Sequence, residues 1–250
     1  MYQHRADRSL ESTLDWALDR MRKNGYEIRS EVSLSVDPKL SIMGYARKDG
    51  GKHTIVISEW ALDSEMLGGL VLHELAHIYF TERGAVSHDT GLLEETMSEM
   101  RTNEGLRANE SEYLMDAFNH LQNILVDDIV FTLLPDRELQ MTTRFFSEWV
   151  SNRSSGDPVL DAALLCRNAF AIASLKRRSL FEDKGEMYYR NKAYVASLGD
   201  GAEEHFAWLE DFLEKSKSDW KEEEFREQLE GYFDRVLTVM RSFARFEDLK

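Results

Sequence analysis

The chain has 250 residues, 42% of them hydrophobic and 31% charged, a composition and size that suit one large soluble domain or two small ones. Its formal net charge of −15 repels phosphate backbones and argues against a nucleic-acid partner. The single cysteine, Cys166, excludes an intramolecular disulfide and a cysteine-rich zinc ribbon, and points to a reducing, cytoplasmic setting.

The first residues, Met1 to Arg8, are polar and lack the pattern of a secretory signal. Leu14, Trp16–Leu18 and Met21 are spaced near 3.6, so Leu10–Gly25 is expected to be a helix stopped by Gly25. Three short strands are expected next, at Glu27–Val36, Leu40–Ala46 and His53–Glu59, the last within Lys52–Trp60. Asp49-Gly50-Gly51 has hairpin-turn chemistry. A helix over Asp63–Phe80 follows. Beyond a polar loop the pattern is helical throughout, with helices expected at Leu92–Leu106, Ser111–Leu134, Asp136–Val150, Leu160–Leu175, Met187–Ala196, Glu203–Lys217 and Glu222–Phe246. No apolar run approaches the roughly 20 residues of a membrane span, so no membrane is expected as partner. The Ser151–Pro158 loop divides the expected domains, 1–150 and a helical region 151–250 packed on it as one unit. Asp200–Asp234 is strongly acidic and Leu175–Lys192 locally basic; both fit solvated helix faces, and no function is read from either.

The residues that carry chemistry lie in the helix Asp63–Phe80. It contains His73-Glu74-Leu75-Ala76-His77, flanked by Leu70, Val71 and Leu72 before and Ile78, Tyr79 and Phe80 after. Histidines four apart project from one helix face, one turn from each other, and two neutral imidazoles so placed suit zinc. Glu74 is the one charge in this apolar stretch. A buried carboxylate costs several kcal/mol without a partner, and a neighbouring metal site supplies one.

A catalytic zinc needs three protein ligands and an open position. On the helix Ser111–Leu134, Asp116, His120, Asn123 and Asp127 fall within about 40° of a common stripe. Asp127 and Asp128 sit in its most apolar section, where an unpaired carboxylate is prohibitive. Asp127 is the expected third ligand, with Asp128 orienting a ligand histidine, or the two with roles exchanged. Glu94, Glu95 and Glu99 on the preceding helix are rivals, and His120 another. His4, His53, His88 and His205 are better explained as ordinary hydrogen-bonded histidines. Tyr188, Tyr189, Arg190 and His205 are available as oxyanion donors, and nothing selects among them.

The His-Glu-x-x-His motif with uncharged neighbours resembles the zincin metallopeptidases. Asn123-Ile-Leu-Val-Asp127 is similar to the Asn-x-x-x-Asp segment of a group of uncharacterised prokaryotic metallopeptidase-like proteins. The resemblance covers about residues 53–134. It departs from the Gly-Thr-x-Asp signature of the aspzincins, and from gluzincins in lacking Asn-Glu-x-x-x-Asp, although Glu95 and Glu99 lie 18 and 22 residues beyond His77, near the gluzincin interval. It implies an α+β, predominantly helical, zincin-like fold, with a small N-terminal sheet packed on the motif helix and a helical C-terminal half. It also implies Zn²⁺ held by His73, His77 and Asp127, with Glu74 as general base in peptide-bond hydrolysis. A peptide or protein substrate would add as a strand to a sheet edge near the metal. The alternative is a non-catalytic zinc-binding scaffold, in which the helical half docks a regulatory partner; a structural site would have no use for Glu74. Oligomeric state is not legible.

Overall fold

A computed structural model describes residues 10–245, a mostly helical α+β protein with a small three-stranded sheet. Contacts divide the chain into two compact units, Met1–Gly84 with Asp128–Met141, and Ala85–Asp127 with Thr142–Lys250. Each unit is thus assembled from two separate stretches of chain, not from consecutive halves.

The first unit begins with α1 (Leu10–Lys23), which buries Thr13, Leu14, Ala17 and Met21 on one stripe. The sheet follows as β1 (Val32–Asp37), β2 (Gly44–Asp49) and β3 (Lys52–Ser58), in the order β1-β3-β2. β3 is central, parallel to β1 and antiparallel to β2. Ile55, Val56 and Ile57 of β3 are all buried, as expected of a strand covered on both faces. The β2–β3 hairpin turns at Gly50 and Gly51, whose φ values of 56° and 94° are those a two-residue turn demands and glycine supplies without strain.

Two strands are displaced from their expected positions. The first begins at Val32 instead of Glu27, because Arg29 and Ser30 donate their backbone N–H groups to Glu82 at 2.7 and 2.9 Å instead of to a strand. The second runs through Arg47, Lys48 and Asp49, not Leu40–Ala46. This edge strand takes its register from the Gly50-Gly51 turn, and its charged end stays exposed, so apolar alternation misplaces it.

A short helix, α2 (Glu59–Leu62), leads to α3 (Leu67–Glu82), the motif helix. Gly68 and Gly69 let neighbours approach its start. A Cβ on Gly68 would lie 3.0 Å from Trp16 of α1 and 3.1 Å from Glu138, and one on Gly69 would lie 3.3 Å from Leu134.

The second unit opens with a 3-10 turn at Val86–His88, inside the expected loop. α4 (Thr90–Glu104) is capped by Asp89, which accepts from Gly91 and Leu92, and ends at Gly105 in the left-handed region. α5 (Ala108–Leu133) is the long apolar helix, and the division between units falls within it, between Asp127 and Asp128. α6 (Asp136–Trp149) follows. α7 (Pro158–Lys176), with Pro158 in its first turn and Asp157 as its cap, packs against α9 (Ala202–Lys215) and α10 (Glu222–Arg245). α8 (Glu186–Ser197) packs on α9. By length and composition α7 is apolar enough to cross a membrane, contrary to the expectation that no such stretch exists. Two thirds of its apolar stretch is buried inside the protein, where it serves as the core helix of this unit. Phe246, the expected end of the last helix, and His4 lie outside the described residues.

Candidate functional site

Seven of the sixteen residues of α3 are buried: Val71, Leu72, Glu74, Leu75, Ala76, Ile78 and Phe80. His73 and His77 are half-buried. They are one turn apart, and their Nε2 atoms face each other at 3.2 Å, with ring centroids 4.9 Å apart. Two nitrogens each about 2.05 Å from a tetrahedral zinc would be about 3.3 Å apart. The spacing in the protein therefore fits two nitrogen ligands of one such ion.

Glu74 is 6% exposed. Burial raises its carboxyl above the ordinary range, while His73 and a hydrogen bond donated by the backbone N–H of Ala46 oppose the shift. Ala46 belongs to the edge strand β2. The sheet edge thus lies against the motif carboxylate, and Gly44 makes the approach possible: a Cβ there would meet the Val56 carbonyl oxygen at 3.0 Å and a Leu70 methyl at 3.5 Å. This backbone contact has no side-chain signature in the sequence. At the end of α3, Glu82 accepts from Arg29 and Ser30, so the loop before β1 is tied to the motif helix.

The candidate third ligands occupy distinct environments. Asp127 is buried, and Ser174 Oγ of α7 lies 3.5 Å from its Oδ2. Its backbone carbonyl accepts from Arg178 Nε at 3.1 Å. Asp128 is half-buried and belongs to the unit that contains α3. Glu94, Glu95 and Glu99 are exposed on α4, and Arg226 of α10 pairs with Glu95 at 2.7 Å and Glu99 at 4.0 Å. Asp116 is exposed. His120 stacks on Phe170 with ring planes 12° apart, and its buried Nδ1 has no hydrogen-bond partner. Burial pushes its pKa down to about 4, which keeps it neutral at physiological pH. Among the described residues, no three His, Cys, Asp or Glu side chains are gathered closely enough to hold a metal ion.

The remaining histidines have local roles. His53 is buried in β3, with its Nε2 3.9 Å from Glu82. His88 Nδ1 meets Ser87 Oγ at 3.0 Å, and His205 Nδ1 meets Arg235 at 3.2 Å. The Cys166 thiol is buried and pushed up to about 12, so it is inert as a nucleophile.

Comparison of the chain with curated proteins and with solved structures found no match. A family profile described as a family of unknown function, DUF5781, matches residues 17–234, a span that includes the sheet, the motif helix and most of the helical second unit. The chain belongs to the DUF5781 family.

Proposed function

We propose that this protein is a zinc-dependent hydrolase acting on peptide bonds, with its centre on α3. The observation that carries this reading is the grouping of His73, Glu74 and His77. Two imidazole nitrogens face each other at zinc-ligand spacing, with a buried carboxylate between them in sequence. A histidine pair alone suits many roles. A buried acid beside that pair, bonded to a sheet edge, has no structural use that an apolar residue would not serve better.

In this reading His73 and His77 would hold the metal, with Asp127 as the proposed third ligand. When bound, zinc would acidify water and polarise a carbonyl. Glu74 takes up the proton of the attacking water and returns it to the leaving amine. The raised affinity of its buried carboxyl for protons suits it to both steps. The Ala46 N–H fixes the carboxylate while it does so. β2, an edge strand, offers its free side to an extended peptide, which would add by backbone hydrogen bonds.

The test is a pair of variants assayed for zinc content and for cleavage of a denatured protein substrate. Glu74→Gln is expected to keep zinc and lose about 10²–10⁴-fold in rate. A Glu74→Gln protein that retains zinc and cleaves at the wild-type rate would refute the assignment of the base. A wild-type protein that holds zinc yet cleaves no peptide bond would favour the scaffold reading.

A further inference from the structure

A second site lies wholly within the second unit, built from residues the proposed hydrolysis does not use. The Ser151–Ser155 loop, the end of α6, Arg167 of α7 and Arg190 of α8 line an open surface cavity of about 290 Å³. Three arginines line it: Arg153, Arg167 and Arg190. In a chain of net charge −15 such a cluster is out of keeping with the rest of the composition.

The positive charge is not cancelled from within. Neither Arg153 nor Arg167 forms an ion pair among the described residues, and Arg190 reaches Glu186 only at 3.9 Å. The one carboxylate on the lining, Glu148, pairs with Arg144 at 3.0 Å. The Nε atoms of both Arg167 and Arg190 are buried without a hydrogen-bond partner. Burial also holds the Arg167 guanidinium below its ordinary pKa, as desolvation of a charge does. Unpaired buried donors of this kind are costly and call for a ligand.

The loop is held in shape from behind. Asn168 Oδ1 accepts from the Ser151 N–H at 3.0 Å, and Asn168 Nδ2 donates to Asn191 Oδ1 at 3.0 Å. Buried Asp161 accepts from the Ser155 N–H at 2.7 Å and from the Ser154 hydroxyl. Arg167 Nη2 donates to Ser151 Oγ at 3.2 Å. Donors so fixed need little reordering to meet an anion. Trp149, on the same lining, adds an apolar wall.

We infer that this cavity binds the dianionic phosphate group of a small phosphate monoester, with Arg153, Arg167 and Arg190 on the phosphate and Trp149 against the organic part. Guanidinium forks match phosphate oxygens two at a time, and three of them outweigh what a single carboxylate would need. Trp149 gives such an ester an apolar contact that a bare phosphate ion cannot use.

The experiment titrates the full-length protein with glycerol phosphate, inorganic phosphate and acetate at matched ionic strength, reading the midpoint of thermal unfolding. Glycerol phosphate is expected to stabilise saturably, more tightly than inorganic phosphate, with acetate inert. Arg190→Gln and Arg153→Gln should each weaken binding about tenfold, and Arg22→Gln, an exposed arginine of α1, should not. Arg153 is exposed, so that variant reports even if Arg190→Gln does not fold. Absence of saturable binding, equal weakening by Arg22→Gln, or inorganic phosphate or acetate binding as tightly as the ester would overturn the assignment.

Discussion

Glu74 has two properties that pull in opposite directions. The proposed role as a base places it buried beside the histidines, yet burial of its charge weakens the fold. In metal-free protein at neutral pH, Glu74→Gln is therefore expected to raise stability, on the order of 1–3 kcal/mol. Chemical denaturation of chelator-treated protein checks this; a destabilised variant would mean that the carboxylate is satisfied without metal. At this scale much was legible. An acid inside Leu70–Phe80 and its flanking histidines could be read from residue type and spacing alone. The partner of Glu74 could not, because every residue carries a backbone N–H and no letter marks Ala46 as the one in reach.

Among the elements, the contrast lies between helices and strands. Helix existence followed from periodicity nearly throughout, because α1, α6 and α10 each turn one apolar stripe inward. β2 was misplaced because its pairing is decided by a glycine turn and its neighbour β3, not by its own alternation. The start of α3 shows how an element's sequence serves its neighbours. Alanine has the higher helix propensity by about 1 kcal/mol, yet Gly68→Ala is expected to destabilise by about 1–3 kcal/mol, since its methyl would press on Trp16 and Glu138. A variant as stable as wild type in denaturant would show that this contact yields freely.

A second tie joins α5 to α10. Arg241 donates to buried Glu110 at 2.9 Å and holds its carboxyl below the ordinary range. The folded pKa lies below the unfolded one, so this pair stabilises above about pH 4.5 and the benefit is lost as pH falls through the folded value. Arg241→Gln should cost about 1–2 kcal/mol at pH 7, a figure reduced for the partial exposure of Arg241, and less as the solution is acidified. A cost that stays constant down to pH 3 would contradict the ionic origin.

For the whole molecule, net charge described the surface and missed a local exception. The −15 balance disfavours long phosphate backbones, yet the arginines of the second unit gather where the sequence offered only a Ser-rich loop and a basic stretch far along the chain. Arg153, Arg167 and Arg190 are brought together from the loop before α7, from α7 and from α8, and tertiary packing of that kind leaves no periodic signal. Sequence names Asp127 as a third ligand from its stripe on α5, but a stripe does not say which side chains of other elements it meets. The two proposed sites use no residue in common, so His77→Ala should leave phosphate-ester binding untouched.

The central claim rests on the histidine pair of α3, and equilibrium zinc binding by the wild-type protein and by His77→Ala tests it most directly. The account predicts about one zinc per wild-type chain, with affinity lost in the variant. Wild-type protein that binds no zinc, or a His77→Ala protein that binds it equally well, would contradict the account.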